Sequence, residues 1–114
     1  MNREQAHLLV DVSFLTSEEG GRKNMPVIKD TDYIYRPTLY LFREHSIAYS
    51  CGMIIEKNRM VIQPHIIMKS VPIILLKPND VLPKIKIGDE IEFSEGTHVV
   101  AKGIITDINY RETA

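Results

Sequence analysis

Apolar and polar residues alternate along most of this chain, and the alternation predicts strands. In AHLLVDVSFL, Ala6, Leu8, Val10, Val12 and Phe14 fall on one face, with His7, Asp11 and Ser13 on the other. TLYLF puts Leu39 and Leu41 on one face and Thr38, Tyr40 and Phe42 opposite. In HSIAYSCGMII, the set Ile47, Tyr49, Cys51, Met53 and Ile55 alternates with small or polar residues. Glu56-Lys57-Asn58-Arg59 reads as a polar turn before MVI, residues 60–62. IIMKSVPIILLK is almost continuously apolar, and its Pro72 predicts an edge position or a bulge. EIEF and HVVAKGIITDI complete the set.

No window carries a capped stripe of helical period. The six prolines and six glycines sit mostly between the runs, as they should between strands. With no repeat and no linker-like stretch, residues 1–114 read as a single all-β domain. Six or seven short antiparallel strands suggest a small closed barrel or a sandwich. Closure also removes sheet edges, which protects so β-branched a sequence from pairing with its neighbours. One segment resists: Thr16 to Tyr35 shows no clear strand, and structureless loops of that length are uncommon in compact domains.

Composition narrows the function classes. A chain of 114 residues can bury roughly two-thirds of its unfolded surface, enough for a core without disulfides or metal. Fourteen Lys and Arg against fifteen Asp and Glu give a net charge of -1, so any nucleic-acid role must rest on a local patch. Cys51 is the single cysteine, which excludes an internal disulfide and a multi-cysteine metal cluster. The opening residues lack the pattern of a secretory signal, and no stretch reaches the ~20 apolar residues of a membrane span. The expectation is a soluble cytoplasmic protein.

SEEGGRKNMP, residues 17–26, sets two adjacent glycines between charges of opposite sign. DVSFLTSEEGGRKNMP followed by YRPTLYLF resembles the opening of the third, C-terminal domain of elongation factor Tu and related translation GTPases. That domain carries an EEGGR loop after its first strand and Tyr-Arg-Pro before its second. GDEIEFSEGTHVVAKGIITDI resembles, without a gap, the closing hairpin of the same family. LLKP, residues 75–78, sits where the family has a similar Leu-x-x-Pro segment. The resemblance spans essentially the whole chain in the right order, and it implies a six-stranded antiparallel closed β-barrel.

The chain also departs from that family. The family hairpin has Arg where this chain has Ser94 and His98, and Gly where it has Thr97 and Ala101, so two positive charges are missing. The expected Pro-Gly-Asp turn is absent, with Gln63-Pro64-His65 in that region, and the loop between EEGGR and YRP is longer than usual. No G-x-x-x-x-G-K-[ST] occurs, so nothing is expected to cradle nucleotide phosphates, and the chain is expected neither to bind GTP nor to need a cofactor.

By resemblance, the loop Glu18-Glu19-Gly20-Gly21-Arg22-Lys23 contacts the backbone of the T stem of aminoacyl-tRNA, and Lys77 supplies a further basic residue. Gly20 and Gly21 would turn the chain and expose backbone N–H groups beside Arg22 and Lys23. Arg22 would offer a phosphate a bidentate fork and Lys23 a point charge. On a barrel, Lys77 and Arg22 could share a face. The competing reading ties Arg22 locally to Glu18 or Glu19, leaves the glycines to the turn and makes Lys77 a solvated lysine. Arg36, held extended by Pro37, reads as structural. His7, His45, His65 and His98 show no metal-ligand spacing. Glu95 and His98 read as a solvated hairpin tip, and Cys51 as a small buried hydrophobe. No nucleophile has a base in sight, so an enzyme is not expected. Two functions stay open: a non-catalytic module that contacts tRNA, other structured RNA or a translation component, and a protein–protein interaction or structural module, with self-association or a partner, that kept the barrel and lost the RNA face.

Overall fold

The computed structural model describes residues 6–22, 33–42, 44–56 and 63–109. Seven strands appear in the order β1 (Leu8–Phe14), β2 (Tyr33–Tyr35), β3 (Thr38–Leu41), β4 (Glu44–Ile55), β5 (Ile67–Leu75), β6 (Glu90–Glu95) and β7 (His98–Ile108). Six of them close on themselves. β4 pairs with β3, then β6, β7, β1 and β5 follow, and β5 returns to β4 through Cys51–Leu75, Gly52–Ile74 and Met53–Ile73. Every pairing between these strands is antiparallel. The extra strand, β2, continues the line of β3 along β4 after the break at Arg36-Pro37. The architecture is a closed six-stranded antiparallel barrel with one added strand.

β1 shows why the pattern folds this way. Its alternating residues Leu8, Val10, Val12 and Phe14 are each at most 1% exposed, and those between them face outward. Flanked by β5 on one side and β7 on the other, it has no free edge. Leu39 and Leu41 turn inward as their spacing requires, and Phe42 turns out. The inward set of β4 holds for Tyr49, Cys51, Met53 and Ile55 but not for Ile47, which is 41% exposed. The β3–β4 register breaks between Leu39 and Leu41, and this throws the first half of β4 out of alternation.

The long apolar run of β5 is explained by a bulge. The β1–β5 register shifts between Val10 and Val12, so inward positions pass from Met68 directly to Val71. Ser70, at φ 52, takes up the extra residue. Asp11 fastens the bulge by accepting from the Ser70 backbone N–H at 2.9 Å and from Lys69 Nζ at 3.3 Å. Pro72 follows the bulge and precedes the three residues that pair with β4, so its missing N–H costs that ladder nothing.

The segment from Thr16 to Tyr35 is not structureless where it is described. Ser17–Glu19 form a 3-10 turn and Tyr33–Tyr35 form β2. The turn expected at 57–59 and the run at 60–62 lie outside the described residues. A short helix, α1 (Pro78–Val81), and a 3-10 turn at Leu82–Lys84 cover one end of the barrel, with Val81 in the core. Pro78 at the first helical position has no N–H to lose there. No helix among the described residues is long and apolar enough to cross a membrane.

Candidate functional site

The paired glycines are consumed by the backbone. Thr16 and Glu19 form a reciprocal cap: Glu19 N–H donates to Thr16 Oγ1 at 3.2 Å, and Thr16 N–H donates to Glu19 Oε1 at 2.8 Å. Gly20 then ends the 3-10 turn at φ 93, a left-handed conformation that side chains disfavour. Gly21 needs its missing Cβ for a different reason, because that atom would lie 2.8 Å from Leu15 O and 2.9 Å from Thr16 O. Both N–H groups are occupied, Gly20 donating to Ser17 O at 3.1 Å and Gly21 to Thr16 O at 3.0 Å. These two amides therefore do not form the exposed anion cradle that the sequence allowed.

Glu19 has a further partner in His65, whose Nε2 lies 2.7 Å from Glu19 Oε1. The Thr16 backbone bond, then the Thr16 side chain, and then His65 hold the Glu19 carboxyl below its ordinary range. The turn is thereby fixed to the segment entering β5, where His65 N–H also donates to Phe14 O.

Arg22 is tied, but not to Glu18 or Glu19. Its Nη1 lies 3.1 Å from Glu95 Oε2 at the tip of the β6–β7 hairpin, with the two side chains 30% and 41% exposed. The guanidinium also sits 5.5 Å from the centroid of the Tyr35 ring. The Tyr35 hydroxyl donates to the same Glu95 oxygen, joining β2, the hairpin and the glycine turn in one cluster. Burial first, and Glu95 second, push the Tyr35 hydroxyl well above its ordinary range. Arg22 and Glu95, with Ser17, Gly20, Gly21, His98 and Val100, border an open hollow. Lys23 lies outside the described residues.

Lys77 does not join Arg22. It follows the end of β5 at which Leu75 N–H donates to His7 Nδ1 at 3.0 Å, beside the start of β1. Arg22 follows the finish of β1, where Leu15 N–H reaches Val100 O. The two residues thus flank opposite ends of a strand about 20 Å long at 3.3 Å per residue. Lys77 is solvent-exposed, and the shared basic face expected from the sequence is not assembled by Arg22 and Lys77. Arg36 is exposed between β2 and β3.

Two features have a weaker trace in the sequence. Lys84 Nζ donates to Tyr49 OH at 2.9 Å and Glu44 Oε2 at 3.1 Å, which raises its pKa, Tyr49 contributing most. The outer wall also carries large apolar side chains, Phe42, Ile67 and Ile104, exposed by 59, 56 and 41%. They line a groove of about 380 Å³ with Asp11, Ser13, Glu90, Glu92 and Lys102. The signal was present in the doublets Leu41-Phe42 and Ile104-Ile105. In an alternating strand, one member of each must face solvent.

Cys51 is 5% exposed and donates to Pro37 O at 3.3 Å. Burial pushes its thiol up to about 12, so it is a poor nucleophile. Among the described residues, no group of three or more His, Cys, Asp or Glu is placed to hold a metal ion. No protein-family model and no curated protein matches the chain.

Proposed function

We propose that this chain is a non-catalytic binding module of the elongation factor Tu third-domain type whose ligand is a protein. The observation that carries the reading is that Phe42, Ile67 and Ile104, three of the exposed large apolar side chains, gather around one groove on the barrel wall. Two further facts weigh on the same side. Arg22 is engaged by Glu95 and Tyr35, and Lys77 stands at the other end of β1, so binding a phosphate backbone through both would first require breaking one contact and then spanning the barrel. The sequence offers no nucleophile paired with a base, and its one thiol is buried in the core against Pro37 O.

The test is capture of partners from cell extract on immobilised protein, with and without nuclease, alongside filter binding of a tRNA panel at low salt. Protein capture that survives nuclease, with no tRNA retained, is the expected result. If tRNA is retained and Arg22→Ala releases it, the RNA reading replaces this one.

A further inference from the structure

β2 stands outside the closed barrel. Each of the six barrel strands has a strand neighbour on both sides, and β5 meets β4 directly through Cys51, Gly52 and Met53. β2 lies beyond the end of β3, pairing Tyr33, Ile34 and Tyr35 with Ile55, Ile54 and Met53 of β4. Among the described residues, β4 is its only strand partner. The barrel therefore keeps every one of its own pairings when β2 is taken away.

The strand is short and shallowly seated. Its three side chains are half-buried, whereas the four inward residues of β1 are at most 1% exposed. Tyr33 and Tyr35 pack against the core, Tyr35 with its ring centroid 6.1 Å from that of Phe14. Ile34, on the other face, rests where Gly52 has no side chain, since a Cβ there would lie 2.7 Å from Ile34 Cγ2. After β2 the chain passes through exposed Arg36 to buried Pro37, whose O accepts from Cys51. Pro37 anchors β3, and Arg36 is the hinge.

The restraints on β2 beyond its pairing with β4 come from distant parts of the sequence. The Tyr35 hydroxyl donates to Glu95 at the hairpin tip. Arg22 sits over the Tyr35 ring and pairs with the same carboxylate. All three side chains keep some contact with solvent.

We infer that β2 is a detachable strap: it lifts from β4 while the six-stranded barrel stays closed, and the Tyr35–Glu95–Arg22 cluster sets how often it lifts. Lifting uncovers the β4 edge at Met53–Ile55 and the end of the core around Phe14. A strand edge of this kind accepts an extended segment of another chain through main-chain hydrogen bonds. The cluster thus controls access to a surface that the closed form hides. The strap follows from the geometry of β2, whatever the module binds.

Hydrogen exchange resolved by residue tests it, under conditions where exchange follows the opening equilibrium. Opening short of unfolding exposes little surface. The protected amides of β2 should therefore exchange at least about tenfold faster than those of β1 and respond weakly to urea. Two variants separate strap from barrel. Tyr35→Phe keeps the aromatic ring against Phe14 but loses the bond to Glu95, and should speed β2 exchange about tenfold. Ile105→Val thins the core of the closed and lifted forms alike, so it should speed β1 exchange about fivefold and leave β2 unchanged. Equal rates and equal urea dependence in β1 and β2 overturn the inference, as does acceleration of both by Ile105→Val. An unprotected β2 overturns it too, since a strap must dock before it lifts. Unchanged β2 exchange in Tyr35→Phe removes the cluster as the restraint and the inference with it. Glu95→Gln makes the same measurement from the other partner should Tyr35→Phe not fold.

Discussion

Arg22 and Glu95, 73 positions apart in sequence, form an ion pair of 3.1 Å that fastens the turn after β1 to the tip of the β6–β7 hairpin. Both side chains keep some exposure, so the pair itself is worth about 0.5–1 kcal/mol. Glu95 also accepts from Tyr35, and its removal strands two donors where loss of Arg22 strands none. Glu95→Ala should therefore cost about 1–2 kcal/mol and Arg22→Ala about half that. Urea denaturation of both single variants and the double variant would check this. Additive losses would show that the two residues do not interact.

The two glycines of the turn should fail for different reasons. Gly20→Ala meets no neighbour but must hold φ 93, a cost of about 1–2 kcal/mol, and Gly20→Asn should cost less because asparagine tolerates that region. Gly21→Ala places a Cβ against two backbone carbonyl oxygens that cannot rotate away, and it should be the most damaging of the three at about 2–3 kcal/mol. Thermal melts give the order directly. A Gly20→Asn variant less stable than Gly21→Ala would contradict it.

Acid should loosen the joint between β1 and β5. His7 Nδ1 accepts the Leu75 N–H, and burial lowers the pKa of the ring from 6.5. The unfolded chain thus binds this proton more readily than the native one. The His7 contribution is fully present above pH 6.5 and is lost as pH falls from there through the lowered native value. Denaturation midpoints measured from pH 7.5 down to 5 should decline, and the decline should be shallower in His7→Gln. Equal slopes would remove His7 from the account.

Cys51 should react only when the barrel opens. With its thiol buried and its pKa near 12, an aromatic disulfide reagent at pH 8 should label it at the rate of local or global unfolding. Sub-denaturing urea should accelerate labelling. Rapid stoichiometric labelling of native protein would show that β4 is accessible from outside.

How legible each part was depended on how far apart its causes lie. β1 could be read because its inner and outer faces are set by consecutive residues, Leu8 to Phe14. The Thr16–Glu19 cap was also written locally, in Thr-Ser-Glu-Glu, but its turn is only three residues long and buries nothing, so no periodicity advertised it. β2 escaped because Tyr33, Ile34 and Tyr35 are all half-buried, leaving no alternation to see. The candidate site was less legible. Arg22 was named, yet its partner Glu95 lies on a different hairpin, and no local rule links them. Lys77 and Arg22 were expected together because the resemblance supplied two basic positions. The register of β1 against β5 and β7 is what separates them.

The position of β1 between β5 and β7 also sets a timetable for synthesis. Leu8 must wait for Ile108, and Phe14 for Ala101, before that side of the strand has a neighbour. While the ribosome is still making the last hairpin, β1 presents unpaired amides and carbonyls along one flank, with Leu8, Val10, Val12 and Phe14 on an unfinished interior. Pairings so distant along the chain form slowly, on the order of milliseconds to seconds. The flank of β1 therefore stays open to wrong pairing until His98–Ile108 emerges, and slower translation of that strand would lengthen the most aggregation-prone interval.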